Sequence, residues 1–244
     1  MSTNDPQWAA WCEVFDLAEA GVRRVFHERY VFLTINQMLD QSGQDIGLNQ
    51  YVQSYLVSGY VGSLSSGVRR ECDKDTRTSS LYRCLEKLAK NPAIANRARF
   101  EAAVDTNPST PHQYRANVKR GFDDFAASSQ SPDLDVDRVL KDLDDLRMTA
   151  DTVVVYTNKV VAHRDIVTTD TPTWIELDTA LNKVGEMLKR YYILRNPGTV
   201  LGNLAPDLPG GWEEPFDTPG VPPASGPPEP GDFDDYIYAG PVTS

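Results

Sequence analysis

Apolar residues recur every three or four positions along most of this chain, and this spacing constrains its fold more than any other feature. In the first 33 residues the apolar positions form one stripe: Trp8, Trp11, Cys12, Phe15, Ala18, Val22, Val25, Phe26, Tyr30 and Leu33. Such a spacing places side chains on one face of an α-helix. We therefore predict that the chain begins with a long amphipathic helix whose apolar face enters a core.

The same spacing returns in later segments. Further helices are predicted over residues 51–68, 81–88, 134–161 and 174–192. We predict that they begin at Thr78, at Pro132 and Asp133, and at Thr171, and that the last one stops at residues 196–198. The alternating pattern typical of strands is missing from the sequence. The predicted fold is all-α, an up-and-down bundle of four long helices with shorter additional ones.

Two segments depart from the long helical pattern. Residues 93–130 contain shorter, weaker helical patterns around a break at 107–111, and we predict that they form an inserted helical hairpin in a bundle covering residues 1–196. Residues 197–244 hold 11 of the 17 prolines. A tail so rich in proline and acid cannot offset the entropy lost on ordering. We expect it to be largely disordered, with residues 233–238 either inert or a docking motif for a protein partner.

The charge of the chain bears on its partners. The net charge of −11 argues against a nucleic-acid partner, because binding to phosphates normally uses a basic surface. However, eight acidic residues and no Lys or Arg lie beyond residue 195, so residues 1–195 carry 24 basic and 27 acidic residues. This nearly neutral body leaves RNA open as a partner.

The cysteines and the N-terminal sequence indicate a compartment. Cys12, Cys72 and Cys84 are odd in number and widely spaced, which is typical of reduced, buried thiols rather than of disulfides or metal ligands. The aspartates at 142, 144 and 145 lack metal-ligand spacing and are predicted to lie on the surface. Neither a signal peptide nor an apolar run long enough for a bilayer occurs. We expect a soluble, cytoplasmic protein without membrane contact.

His163 is the best candidate for chemistry among only three histidines. It lies in the sequence Asn-Lys-Val-Val-Ala-His-Arg-Asp, residues 158–165. On a helix Lys159 lies one turn before His163, so the pair could activate a 2′-hydroxyl and stabilise a phosphate, as RNA cleavage without metal or cofactor requires. Alternatively, His163 caps the last helical carbonyls and contacts Asp165, a common structural use of histidine.

Residues 158–165 resemble the signature region of the HEPN superfamily, in particular its prokaryotic abortive-infection (AbiU-like) branch. Residues 68–75, Val-Arg-Arg-Glu-Cys-Asp-Lys-Asp, together with the serine-leucine helix that follows at 79–85, resemble the arginine-arginine-aspartate end of that branch's second helix. Residues 212–216 are similar to its C-terminal end. The resemblance spans roughly residues 10–215 and is weakest over 93–130.

The resemblance implies a function. HEPN proteins are all-α bundles, and many are metal-independent endoribonucleases that dimerise to form a composite site. The resemblance therefore implies RNA as substrate, a homodimer, no cofactor, a role in phage defence or as a toxin, and an antitoxin or other protein partner for the tail. It also implies that His163 is the catalytic base or acid, that Lys159 and Arg70 stabilise phosphate, and that Asn158 and Asp165 position the histidine.

The chain departs from the family motif at Asn158, where arginine is expected five residues before the histidine. The lysine that follows lacks the planar fork with which arginine grips phosphate. Arg69, Arg70 or Arg164 could supply the missing guanidinium. Arg69, Arg70 and Asp73 either bind phosphate beside the histidine or form an ion-pair network closing the end of the bundle. The alternative function is a non-catalytic HEPN bundle that binds a nucleotide, RNA or a protein.

Small residues interrupt the second predicted helix: Gly59, Gly62, Ser63, Ser66 and Gly67. Each glycine weakens a helix by up to about 1 kcal/mol. Such residues make sense where another backbone packs close, and we favour packing within the core over a dimer seam.

Overall fold

The computed structural model describes residues 5–41, 50–161 and 171–204, without the side chains of 38–41 and 50–53. It confirms the all-α prediction, since these ranges contain α-helices, short 3-10 turns and loops but no strand. The helices are α1 Pro6–Gln41, α2 Gln50–Glu71, α3 Leu81–Lys90, α4 Arg97–Thr106, α5 Arg115–Arg120, α6 Val136–Tyr156 and α7 Trp174–Arg195. The four long helices of the predicted bundle are α1, α2, α6 and α7.

The start of α3 lies two residues later than predicted. The Ser80 side chain accepts a hydrogen bond from the Arg83 backbone N–H, so Ser80 is the N-cap. The prediction of Thr78 is wrong because its hydroxyl donates to the backbone oxygen of Asp75, 2.8 Å away, within the preceding turn.

Two further helix starts are also later than predicted. Helix α6 is capped by Asp135, whose carboxylate accepts from two backbone N–H groups of the first turn, rather than opening at Pro132. Helix α7 is capped by Thr173 instead of Thr171, because Thr173 forms a reciprocal capping box with Glu176. Both differences arise from a choice among several capping residues close together in the sequence.

The core lies between α1, α2, α3, α6 and α7. Helix α6 packs against α7, α3 and α2, while α1 packs against α2 and α3. On α1, the rings of Trp8, Trp11 and Phe15 stack in sequence, with successive centroids 5.1 Å apart. The buried indole N–H of Trp11 donates to the backbone oxygen of Cys84 at 3.1 Å, which ties α1 to α3.

The segment 93–130 contains α4 and α5, which contact each other as expected of a hairpin. Its three phenylalanines belong to the common core. Phe122 is fully buried with its ring centroid 5.5 Å from that of Phe100, and the Phe125 ring lies 5.8 Å from the Tyr191 ring of α7. The segment is therefore integrated with the bundle rather than appended to it.

The chain after α7 stays on the bundle as far as the structure describes it. The predicted stop is confirmed, because α7 ends at Arg195 and Gly198 has φ +83°. Leu201 and Leu204 are both buried, and Leu204 contacts α7 at Gly185. Residues 205–244, which include the segments 212–216 and 233–238, lie outside the described residues.

Candidate functional site

The C-terminal end of α2 supplies one half of the candidate site. Arg69 and Arg70 occupy the last turn of this helix and are exposed. The chain leaves the helix through a tight turn, in which the Cys72 backbone N–H donates to the backbone oxygens of Val68 and Arg69. Two cations at a helix C-terminus offset the partial negative charge of its free carbonyls.

A π-helical turn, Thr157–Val161, supplies the other half. It follows α6 directly, and Asn158 and Lys159 lie in it. Thr157 is buried and its hydroxyl donates to the Val153 backbone oxygen at 2.7 Å, a bond that competes with the regular helical ladder and favours a bend. Single π-helical turns occur frequently at functional sites.

One hydrogen bond joins these two halves. Nε of Arg69 donates to the side-chain oxygen of Asn158, although 89 positions separate the two residues in the sequence. Within the described part of the chain, Asn158 is the one hydrogen-bond partner of the Arg69 guanidinium. The structure thus places the Arg69 guanidinium beside Asn158, at the start of the 158–165 segment.

Arg70 has a different environment from Arg69. Its Nε donates to the Glu71 carboxylate at 3.1 Å, and its Nη2 donates to the Gly21 backbone oxygen of α1 at 3.0 Å. A Cβ at Gly21 would lie 2.5 Å from a Glu71 oxygen and 3.0 Å from Nη2, so a larger residue there would displace both groups. Arg70 therefore clamps α2 to α1, while its side chain keeps 44 % of its surface exposed.

Glu71 is the buried centre of this clamp. Its side chain is only 1 % exposed, and its second oxygen accepts from the backbone N–H of Leu81, the first residue of α3. Burial raises the pKa of Glu71 to about 7 and outweighs the opposing effects of Arg70 and the Leu81 hydrogen bond. Sequence reasoning missed this residue, although it continues the buried spacing of Leu64 and Val68 on α2.

Asp73 organises the loop between α2 and α3. Its carboxylate accepts from the Asp75 backbone N–H at 2.9 Å, and its backbone oxygen accepts from the Ser80 hydroxyl at 2.6 Å. These bonds orient the start of α3 and give Asp73 a local structural role. Of the two interpretations for Arg69, Arg70 and Asp73, the structure supplies an ion pair for Arg70 and a polar contact toward the 158–165 segment for Arg69.

The remaining predicted site residues divide between described and undescribed positions. Lys159 is exposed at the π-helical turn, next to the Arg69–Asn158 contact. His163, Arg164 and Asp165 lie outside the described residues. Their roles therefore stay predictions.

The exposed face of α2 leads toward Arg69. Tyr55 is 78 % exposed, and a Cβ at Gly59 or Gly62 would meet no described atom within 4 Å. Among the described residues, nothing packs closely on these two glycines. Packing within the core is the right explanation for Gly67, because a Cβ there would collide with a valine of α1.

Asp142 corrects the prediction of a surface aspartate. It is buried between α6 and α7, where its two oxygens accept from Arg190 at 2.9 Å and from the Tyr191 hydroxyl at 2.8 Å. A buried carboxylate requires such partners, since an unpaired charge in the interior is costly. This network joins the N-terminal part of α6 to the C-terminal part of α7 and is structural.

The cysteine prediction is confirmed, because Cys12, Cys72 and Cys84 are all buried free thiols. Burial raises the pKa of Cys12 to about 11 and that of Cys72 to about 12. Among the described residues, no three His, Cys, Asp or Glu side chains are grouped so as to hold a metal ion. None of the helices within those same ranges has the length and apolarity needed to cross a membrane.

This chain was compared with known proteins at the level of families, curated sequences and solved structures. Neither family models, nor curated proteins, nor solved structures give a match to this chain. The molecule is an all-α bundle in which two helical C-terminal ends meet and bring together cationic and amide side chains.

Proposed function

We propose that the chain is a HEPN-like, metal-independent endoribonuclease. The observation that supports the proposal is the hydrogen bond between Arg69 and Asn158. It joins the two segments that carry the resemblance, residues 68–75 and 158–165. In the proposed site Arg69 supplies the guanidinium that the motif lacks at position 158.

The charge and exposure of the site suit a phosphate. Asn158 engages Nε of Arg69, and the two terminal nitrogens have no partner among the described residues. A guanidinium held in one orientation can bind two phosphate oxygens with its fork. Exposed Lys159, one residue from Asn158, adds a second positive charge. Arg70 contributes less directly, because Glu71 and Gly21 already engage it.

The proposed reaction transfers the phosphodiester within RNA. His163 removes the proton of a 2′-hydroxyl, the 2′-oxygen attacks the adjacent phosphorus, and the 5′-oxygen leaves with a proton from a general acid. The products are a 2′,3′-cyclic phosphate and a 5′-hydroxyl. Arg69 and Lys159 would stabilise the extra negative charge that develops on the phosphate oxygens, and such stabilisation is commonly a large part of a rate enhancement. In this proposal Asp165 positions His163.

Dimerisation and biological role belong to the same proposal. The face of α2 that carries Tyr55, Gly59 and Gly62 ends at Arg69. Because the two glycines have no side chain, a second copy of the chain could pack closely against the helix backbone there. A dimer formed there would bring two cationic sites near each other. The resemblance suggests phage defence or toxicity as the role of the activity. Sedimentation equilibrium of the wild type and Gly62→Leu tests the dimer, because the leucine should reduce association.

The test is cleavage of a broad panel of single-stranded RNAs by the purified full-length chain in EDTA. We expect cleavage by the wild type, products ending in a 2′,3′-cyclic phosphate, and loss of at least 100-fold in rate in His163→Ala. Arg147→Ala is the matched control, because Arg147 is a half-exposed arginine of α6 whose ion-pair partner is Asp144. Circular dichroism should show the same helical content in every variant.

A second function is favoured by one observation. Asn158 replaces the arginine of the family motif, and a site without that arginine could bind without cutting. Binding of labelled RNA or a nucleotide with no turnover, weakened by Arg69→Ala but not by Arg147→Ala, would establish the non-catalytic binding bundle instead. Cleavage that is equal in the wild type and His163→Ala would refute the nuclease proposal.

A further inference from the structure

Three exposed cations near the C-terminal end of α2 lack carboxylate partners among the described residues. They are Arg69, Lys159 of the neighbouring π-helical turn, and Lys74, which follows Arg70 by four residues in the loop after α2. Arg70 itself is paired with Glu71 but keeps 44 % of its side chain exposed. Lys74 lies over the Tyr82 ring, with Nζ 5.7 Å from the centroid. Elsewhere many cations are paired, as in Arg23–Glu19 and Arg195–Asp16. We call Arg69, Arg70, Lys74 and Lys159 the cationic rim.

The complementary charge lies on the same chain. Beyond residue 195 the sequence has eight acidic residues and no Lys or Arg. Three of the carboxylates, those of Asp232, Asp234 and Asp235, lie close to three aromatic residues in the sequence Asp-Phe-Asp-Asp-Tyr-Ile-Tyr. Carboxylates form forked hydrogen bonds with arginine, and aromatic rings stack on guanidinium and ammonium groups. This segment therefore carries both kinds of group that a rim of arginines and lysines binds.

The last described residue of the tail lies close enough for the segment to reach the rim. Leu204 contacts Gly185, where the Phe26 ring of α1 also approaches within 2.6 Å of the Cβ position. Gly21, the contact of Arg70, lies five residues earlier on α1, or about 7.5 Å along the helix axis. With about 10 Å for the width of a helix, Arg70 of the rim is about 20 Å from Leu204.

The length of the tail matches this distance. Asp232 follows Leu204 by 28 residues. A chain of 28 residues spans about 30 Å as a random coil and up to about 87 Å as an extended polyproline helix, so the rim lies within reach in both cases. A segment tethered at such a distance has an effective concentration near the millimolar range, so weak attraction suffices to keep it bound.

We propose that the acidic aromatic segment at residues 232–238 binds the cationic rim of its own chain and competes there with phosphate ligands. Binding of this segment is independent of whether the site cleaves RNA, and its effect on cleavage rests on the proposed function. The tail acts as an intramolecular mimic of a polyanion. An RNA that binds the cationic rim must displace this segment.

The test is zero-length carbodiimide coupling of the full-length chain, which joins only carboxylates and amines in contact. Mass spectrometry should find Lys159 or Lys74 joined to Asp232, Asp234 or Asp235. The yield should fall severalfold in 0.5 M salt, which shortens the screening length, and in Arg69→Ala. Lys141 is the control amine, since it is exposed on α6 and lies about 27 Å from Lys159 along the helix.

Two outcomes would overturn the proposal. One is that the tail carboxylates couple to Lys141 as often as to the lysines of the rim, or that they couple to none of these lysines. The other is coupling only between chains in a mixture of unlabelled and ¹⁵N-labelled protein, which would assign the contact to a second copy. The variant Asp232→Asn/Asp234→Asn/Asp235→Asn should also cut RNA about tenfold faster. If the tail carboxylates couple to the rim lysines in a protein that cuts no RNA, the tail proposal is upheld and the nuclease proposal fails.

Discussion

Replacement of Glu71 by glutamine should remove a loss of stability that the wild-type protein undergoes as the pH rises. Glu71 is buried where α1, α2 and α3 meet, and burial raises its pKa from the ordinary 4.5 to about 7. The folded chain therefore holds the carboxyl proton at pH values where the unfolded chain has lost it. The free energy of unfolding accordingly falls as pH rises from about 4.5 through about 7.

A pKa rise of this size corresponds to about 3 kcal/mol of stability lost once the pH is well above 7. About 2 kcal/mol of this loss falls between pH 5.5 and pH 8.5. Glutamine has nearly the same shape as protonated glutamate and does not titrate. The difference in stability between Glu71→Gln and the wild type should therefore shift by about 2 kcal/mol in favour of the variant across this interval.

Urea unfolding of both proteins at pH 5.5 and pH 8.5, followed by circular dichroism, measures this shift. Other titrating groups occur in both proteins, so their contributions cancel in the comparison. A difference that stays constant with pH would show that the Glu71 pKa is not raised. A shift in favour of the wild type would mean that the ion pair with Arg70 outweighs the cost of burial, and would refute the reasoning.

Three further predictions concern the helices and the thiols. At protein concentrations low enough to keep the chain monomeric, Gly62→Ala should raise the free energy of unfolding by about 1 kcal/mol, and Gly67→Ala should lower it because the new methyl group meets a valine of α1. Urea titrations at these concentrations compare the two, and a destabilising Gly62→Ala would contradict the open space seen beside Gly62 within the chain. Ser80→Ala should lower the free energy of unfolding by about 1 kcal/mol through loss of the α3 N-cap, and Thr78→Ala should lower it less. Thermal unfolding measures both variants, and equal losses of stability would contradict the assignment of Ser80 as the N-cap. The Cys72 thiol, with a pKa of about 12, should react with an aromatic disulfide reagent at pH 8 only after unfolding in urea.

Helical periodicity was sufficient to predict the bundle, because an apolar stripe needs only local spacing and a partner face. Helix α3 is an example, since Leu81, Leu85 and Leu88 are all buried as their spacing predicts. The helix starts were less accurate. For α7 the correct start was present in the sequence, because Glu176 three residues after Thr173 indicates a capping box.

The contacts of the candidate site could not be predicted in the same way. The Arg69–Asn158 bond joins residues 89 positions apart, and no periodicity specifies which surface residues of two helices will meet. For Asp142, the spacing and the charge of the residue gave conflicting predictions. Its spacing from Val139 and Leu146 placed it on the buried face of α6, but its charge alone suggested the surface, and its partners on α7 were not evident from α6.

The central claim is that Arg69 and Asn158 form one site that cleaves RNA. It is tested most directly by single-turnover RNA cleavage in EDTA by the wild type, Arg69→Ala, Asn158→Ala and the double variant. Arg69→Ala should slow cleavage by about 100-fold, as loss of a transition-state donor does. The double variant should be no slower than Arg69→Ala, because the two residues act through one contact. Two results would contradict the account. One is a double variant whose loss of rate equals the product of the two single losses, and the other is an Arg69→Ala variant that cleaves RNA as fast as the wild type.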